Sequence, residues 1–295
     1  MRVPSCSSVS SALGEPISGT ASQVRRWLLI EDPGPWGYDA LAHNGVPRPL
    51  LDQLRAWART VSTRPILIRR GPTRTKGART IYLASSLPGN QWISETSSDD
   101  LDAILAVDNE SFTSGNVPGR RVERLYLVCT HGRHDRCCSV RGNPVSRVMC
   151  AEKTDASWEC SHIGGDRFAA NVLCLPGGAY FGRVPKEDAV RVTDDYESGT
   201  LDLEYFRGWS SWPFAVQAAE IAAREQLDLT RIEDVTPDTW EKTADSELSV
   251  RLSTTKFGPL DVKVRLRSSP DEFYLTCRAE HRSRPKLFEI DPITV

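Results

Sequence analysis

At 295 residues, with 39% apolar and 26% charged side chains, the chain has room for two or three small domains and the ordinary balance of a globular protein. A formal net charge of −2 is no electrostatic match for nucleic acid or an anionic membrane, and no apolar run approaches the roughly 18 residues that a spanning helix needs. The opening "MRVPSCSSVSSALGEP" lacks an apolar stretch, so no secretory leader is read. A cytoplasmic address is expected. There the eight cysteines serve better as metal ligands, catalysts or core residues than as disulfides.

After the polar start, "WLLIE" (27–31) reads as a buried strand and "DPGPWG" as a turn-rich loop. "PLLDQLRAWARTV" (49–61) spaces Leu50, Leu51, Leu54, Trp57, Ala58 and Val61 as one face of a helix. "PILIRR" and "RTIYLAS" predict two strands in a hairpin-like pair across "GPTRTKGA", and "SSDDLDAILAV" carries acids ahead of an apolar stripe, a helix start. The first 110 residues thus read β-α-β-β-α. The pattern returns: "RLYLVCT" (124–130) as a strand, and "NPVSRVMCAEK" (143–153) as a helix with Pro in its first turn. "SWEC", "NVLCLP" and "AYFGRV" follow as strands, and "PKEDAVRVTDDY" (185–196) as a helix. Residues 120–200 repeat the first topology with an extra strand, the mark of an internal duplication. A Trp-rich turn and a helix from Phe214 to about Glu225 come next. "ELSVRLST", "LDVKVRLRS", "EFYLTCRAE" and "KLFEI" then alternate as strands of a small antiparallel appendage.

The two copies differ where the first strand ends. Copy one has "EDPGPWGYD"; copy two has "CTHGRHDRCC" (129–138), echoed by "WECSHIGGD" (158–166). A phosphatase-type loop needs Arg on the sixth residue after Cys; Asp135, Asn143 and Pro144 stand there instead. No Cys-x-x-Cys opens a helix for thioredoxin-type exchange or forms a tight zinc knuckle. Eight residues lie between Cys129 and Cys138, a wide loop that suits one edge of a [2Fe–2S] cluster. His162, with Asp166 four residues on, would face the other edge. Zinc is the second candidate.

These residues resemble the sucrase/ferredoxin-like family of thioredoxin-like ferredoxins, bacterial type. The likeness is carried by "CTHGRHDRCC", by "CSHIGGDRFAANVLCLPGGAYFGRV" and by the N-terminal "CSSVSSALGEPISGTA…WLLIEDPGPWG", over about residues 1–230. It implies a [2Fe–2S] cluster on Cys129 and Cys138, with the second ligand pair falling on His162 and Asp166. In fungal relatives both of those positions are His, so Asp166 departs from the pattern. A carboxylate is a harder donor than thiolate or imidazole, and Cys160 or Cys6 could take the fourth place instead. The family's name is historical and sugar hydrolysis is not implied.

Plainer roles fall to the other residues of this chemistry. Cys150, Cys174 and Cys277 are expected as small core hydrophobes, Cys137 as a packing or exposed thiol, and His43 and His281 as surface residues. His131 and His134 share the ligand loop, either donating to the cluster or facing water. Arg120, Arg121, Arg124, Arg133, Arg136, Arg141 and Arg147 stand against only Glu123 and Asp135 in 120–147. That run is either a solvated face or the docking surface for an acidic redox partner.

The expected fold is therefore α/β, two tandem thioredoxin-like domains, 1–117 without metal ligands and 118–232 with them, then a β-rich appendage over 233–295. The expected function is [2Fe–2S] electron transfer with mixed Cys/His ligation, a carrier more than a catalyst. The alternative is a zinc-bearing or metal-free binding or scaffold protein on the same fold.

Overall fold

Leu28, Leu29 and Ile30 leave β1 (Arg26–Glu31) apolar on both faces, and such a strand belongs in the middle of a sheet. The computed structural model describes residues 4–70 and 77–295. In it β1 pairs in parallel with β2 (Arg64–Arg69) on one side and antiparallel with β3 (Thr80–Leu87) on the other. The expected hairpin of the second and third strands is corrected by this insertion of β1. Residues 71–76 of the loop read between them lie outside the described residues. The true hairpin partner of β3 is β4 (Asn90–Ser97), a strand that the sequence reading missed.

The helix α2 (Arg48–Thr60) buries Leu51, Leu54, Trp57 and Ala58 against the outer face of this sheet. Each large side chain so covered contributes about 1.5–3 kcal/mol. The acids before Leu101 cap a short turn leading into α3 (Leu101–Leu105); α4 (Asn109–Ser114) and β5 (Arg120–Val122) complete the first copy.

Copy two repeats the order. β6 (Leu125–Cys129) is central, parallel to β7 (Ser157–Cys160) and antiparallel to β8 (Val172–Leu175), which turns into β9 (Ala179–Phe181). The "extra" strand is present in both copies, so the repeat is closer than the sequence suggested. Between β6 and β7 runs α5 (Arg136–Glu152), and α6 (Ala189–Glu197) follows β9. α5 begins well before Asn143, because Asp135 caps it by accepting the Cys137 N–H. Pro144 therefore lies inside the helix rather than in its first turn, at the cost of one backbone hydrogen bond.

β2 and β7 pair antiparallel through Ile68–Cys160 and Arg69–Glu159, which fuses the copies into one ten-stranded mixed sheet. The sheet curls. Trp27, Leu29 and Ile66 of one copy share an inner core with Leu127, Trp158 and Leu173 of the other. β10 (Phe206–Trp209), read only as a Trp-rich turn, adds the last strand beside β9. α7 (Phe214–Leu227) then lays Val216, Ala219 and Ala223 against a separate antiparallel sheet. Its strands are β11 (Val235–Ala244), β12 (Glu247–Thr254), β13 (Gly258–Ser268) and β14 (Lys286–Ile290). The expected strand "EFYLTCRAE" is not one. Those residues form an irregular connection from β13 to β14 with a single bridge, Phe273 to Ser283. Among the described residues, no helix is long and apolar enough to cross a membrane.

Candidate metal centre

Four elements of copy two converge at one end of the sheet. Cys129 is the last residue of β6 and almost wholly buried. Cys138 lies in the first turn of α5, which can press close because residue 142 is glycine: a Cβ there would run into the Cys129 carbonyl oxygen. His162 follows β7, and Asp166 stands at the end of the Gly164–Gly165 turn. Gly165 has φ +81°, and a side chain on it would collide with the Arg207 guanidinium.

These side chains face one another. Cys138 Sγ donates to Asp166 Oδ1 at 3.2 Å and lies 3.9 Å from His162 Nδ1, and His162 Nδ1 is 2.9 Å from the same carboxylate oxygen. Cys129 Sγ, Cys138 Sγ and a His162 ring nitrogen fall within 4.8 Å of one another, as do ligand atoms of His134, His162 and Asp166. The structure thus brings together all four residues singled out from the sequence. Cys160, the alternative fourth ligand, sits opposite Cys129 on the neighbouring strand and touches its sulfur from within the core. Cys6 turns away to a different group of thiols.

The local electrostatics follow from these contacts. Hydrogen bonds from Cys138 and Cys160, then from His162, hold the Cys129 thiol well below its ordinary range against the effect of burial. Contact with Cys129 and burial push Cys138 up, and burial then Cys129 push Cys160 up. Burial pulls His162 down, but Asp166 and Cys129 outweigh it and carry the imidazole to about 9. Cys129 is only 1% exposed, so its thiolate faces other ligands rather than a substrate, which argues against a nucleophile. His131 shows the opposite shift, downward through burial. Its neutral ring donates from Nε2 to the Gly37 carbonyl at 2.7 Å and accepts the His162 N–H at Nδ1, 3.3 Å away.

Several supporting residues carry no sequence signal. Arg207 is buried, and burial lowers its pKa to about 10. It donates to the Gly164 carbonyl, Asn171 and Thr20, clamping the turn that bears Asp166. Copy one supplies the cover: Gly37 bonds His131, Tyr38 stacks on His134 with ring centres 5.3 Å apart, and Arg64 donates to the His162 carbonyl. Tyr38, His134 and His162 line an open cleft of about 410 Å³ through which the imidazole edges meet solvent. The Arg-rich run divides. Arg120 and Arg124 are engaged with Glu95, Glu123 and Glu197, whereas Arg133, Arg136, Arg141 and Arg147 are exposed on the ligand loop and α5. As expected, Cys174 is buried and His43 and His281 are exposed; Cys150 is half-buried. Cys137 is buried, as a packing thiol is, whereas Cys277 departs from the core role read for it and is exposed; their sulfurs meet beside the centre.

Two buried thiols, a half-buried imidazole and a buried carboxylate, delivered by separate segments, are donors of the kinds that thiophilic transition metals take. A family model described as sucrase/ferredoxin-like matches residues 17–208, which takes in both copies. No curated protein and no solved structure matches the chain.

Proposed function

The chain belongs to the sucrase/ferredoxin-like family, and from that premise we propose that it is a one-electron redox protein with a [2Fe–2S] cluster on Cys129, Cys138, His162 and Asp166. The observation that carries the reading is the meeting of these four side chains at one end of the sheet. The repeated strand order and directions support reading each copy as thioredoxin-like. When bound, such a cluster stores and releases one electron without a substrate. The chain's own residues do the rest. Cys129 and Cys138 supply anionic donors, and His162 gives up a proton to become a ligand. Arg207 fixes the Asp166 turn and offsets negative charge, and the copy-one loop restricts water. The exposed Arg133 and Arg136 offer a surface for an acidic redox partner. A cytoplasmic, reducing setting keeps such thiols available.

A second reading rests on the tightness of the group. Separations of 2.9, 3.2 and 3.9 Å suit ligands of a single ion, and Asp166 is a donor that zinc accepts readily. That reading makes the protein a zinc-bearing binding or scaffold protein. Absorbance of the freshly purified chain, with iron, zinc and acid-labile sulfide analyses, separates the two. A red-brown protein with equal iron and sulfide supports the cluster; a colourless one with zinc on Cys129 and Cys138 replaces it.

A further inference from the structure

Beside the centre, three thiols meet that share no element. Cys6 opens α1 (Cys6–Ala12), Cys137 lies in the first turn of α5, and Cys277 sits in the irregular connection from β13 to β14. Their sulfurs form a nearly equilateral triangle: 3.5 Å from Cys6 to Cys137, 3.4 Å from Cys137 to Cys277, and 3.5 Å from Cys277 to Cys6. The carboxylate oxygens of Asp135 stand 3.8 and 3.9 Å from Cys6 Sγ, and the four ligand atoms all fall within 4.8 Å of one another. Cys6, Asp135 and Cys137 are buried; Cys277 closes the group from the surface side.

We propose that Cys6, Cys137, Cys277 and Asp135 form a second, structural metal site that takes one thiophilic divalent cation of the zinc class, separate from the centre on Cys129 and Cys138. A zinc ion about 2.3 Å from each of three tetrahedrally disposed sulfurs sets them roughly 3.8 Å apart. The triangle needs to open by only a few tenths of an ångström to receive it, with Asp135 on the fourth corner. A disulfide explains the group poorly. It would draw two sulfurs to about 2.05 Å and strand the third beside a buried carboxylate. Asp135 is already aimed: one oxygen accepts the Cys137 N–H at 2.7 Å and the other the Cys277 N–H at 2.6 Å. Each oxygen keeps a lone pair for a cation. Three thiolates and a carboxylate exceed the charge of one divalent ion. The two N–H donors and the positive end of the long helix α5 offset the excess. Adjacent residues thereby serve different centres: Cys138 faces His162 and Asp166, and Cys137 faces Cys6 and Cys277. The site pins both ends of the chain to the loop that delivers Cys138, a closure entropically costly without a metal to hold it.

The test is metal analysis of the full-length chain, produced in zinc-replete medium and purified reduced and without chelators. Wild type and Cys129→Ser, whose first centre is disabled, should each carry one zinc in this site. Cys6→Ser and Cys277→Ser should lose it while keeping the metal of the first centre. Should Cys6→Ser and Cys277→Ser fail to fold, metal-free Cys129→Ser is titrated with Co(II). Intense thiolate-to-cobalt bands of tetrahedral type, saturating at one equivalent and bleached by Zn(II), are expected. Absence of both zinc and these bands, or unchanged zinc in folded Cys6→Ser and Cys277→Ser, overturns the proposal. The outcome does not depend on which metal the first centre holds, so the two readings fail separately.

Discussion

The two strand-to-helix loops, 32–47 after β1 and 130–135 after β6, leave the same point of the same topology and do opposite work. In the first, Asp32 turns inward. It accepts from the Trp36 indole and the Gly45 N–H and pairs with Arg79, so the loop closes on itself as a rigid lip. In the second, Asp135 caps α5 while Cys129 and Cys138 face a neighbouring turn. The lip then rests on the ligand loop through Gly37 and Tyr38. The candidate ligands are therefore carried by copy two alone, at the end of β6, in the first turn of α5 and on the turn after β7, and the loop of copy one lies over them.

The largest expected effect tests this division directly. Cys129→Ser and Cys138→Ser should each remove nearly all metal from the first centre by elemental analysis. Asp32→Ala should leave it bound and lower stability by about 1–3 kcal/mol in denaturant unfolding, because three donors lose their acceptor. Metal retained in both Cys variants would break the comparison. Gly142→Ala comes next: the clash with the Cys129 carbonyl should cost roughly 1–3 kcal/mol and reduce metal content in part, read by the same assays.

Proton competition should be smaller but specific. His162 is raised to about 9 from an ordinary 6.5 and the Cys138 thiol is pushed up as well, and each must give up its proton to ligate, so metal loading should strengthen with pH. The expected slope is up to about a hundredfold per unit, for the two protons that His162 and the raised Cys138 thiol release on ligation. The sign reverses for the metal-free fold. A folded-state pKa raised above the unfolded one gives stability that is complete below the ordinary imidazole range and lost as pH rises through about 9. His162→Gln should flatten both trends, measured by metal-binding isotherms and by urea melts. Smallest is the lip itself. Tyr38→Ala should keep the metal but speed its removal by a chelator, followed by absorbance; an unchanged rate would deny the loop its shielding role.

How far the sequence carried this picture depends on the range of each interaction. β1, α2, β6, β8, α7, β12 and β13 were legible because periodicity and nearby turns specify them. The four residues proposed as ligands could be singled out because they fall on two short stretches. β4, β10 and β11 mix polar and apolar residues on faces that only neighbouring strands justify. Pro144 drew the helix start toward itself, whereas the cap that sets it is Asp135, hidden among loop residues. Cys6 and Cys277 looked bland in isolation, since what gives them meaning is a contact between the two ends of the chain. Arg207 had no local signal at all, because its partners Thr20, Gly164 and Asn171 come together only in the folded molecule.

The seam between β2 and β7 has a consequence for how such a protein arises. Each copy meets the other through its own equivalent strand, running antiparallel to its counterpart. That is the isologous contact of a two-fold dimer, written here into one polypeptide. In a dimer of identical subunits every substitution appears at both sites at once, so neither loop can give up its ligands without the other. Joining the halves in tandem lifts that constraint. One copy's loop is free to become a lip of Pro, Gly and aromatic residues while the other copy carries thiols on either side of its own.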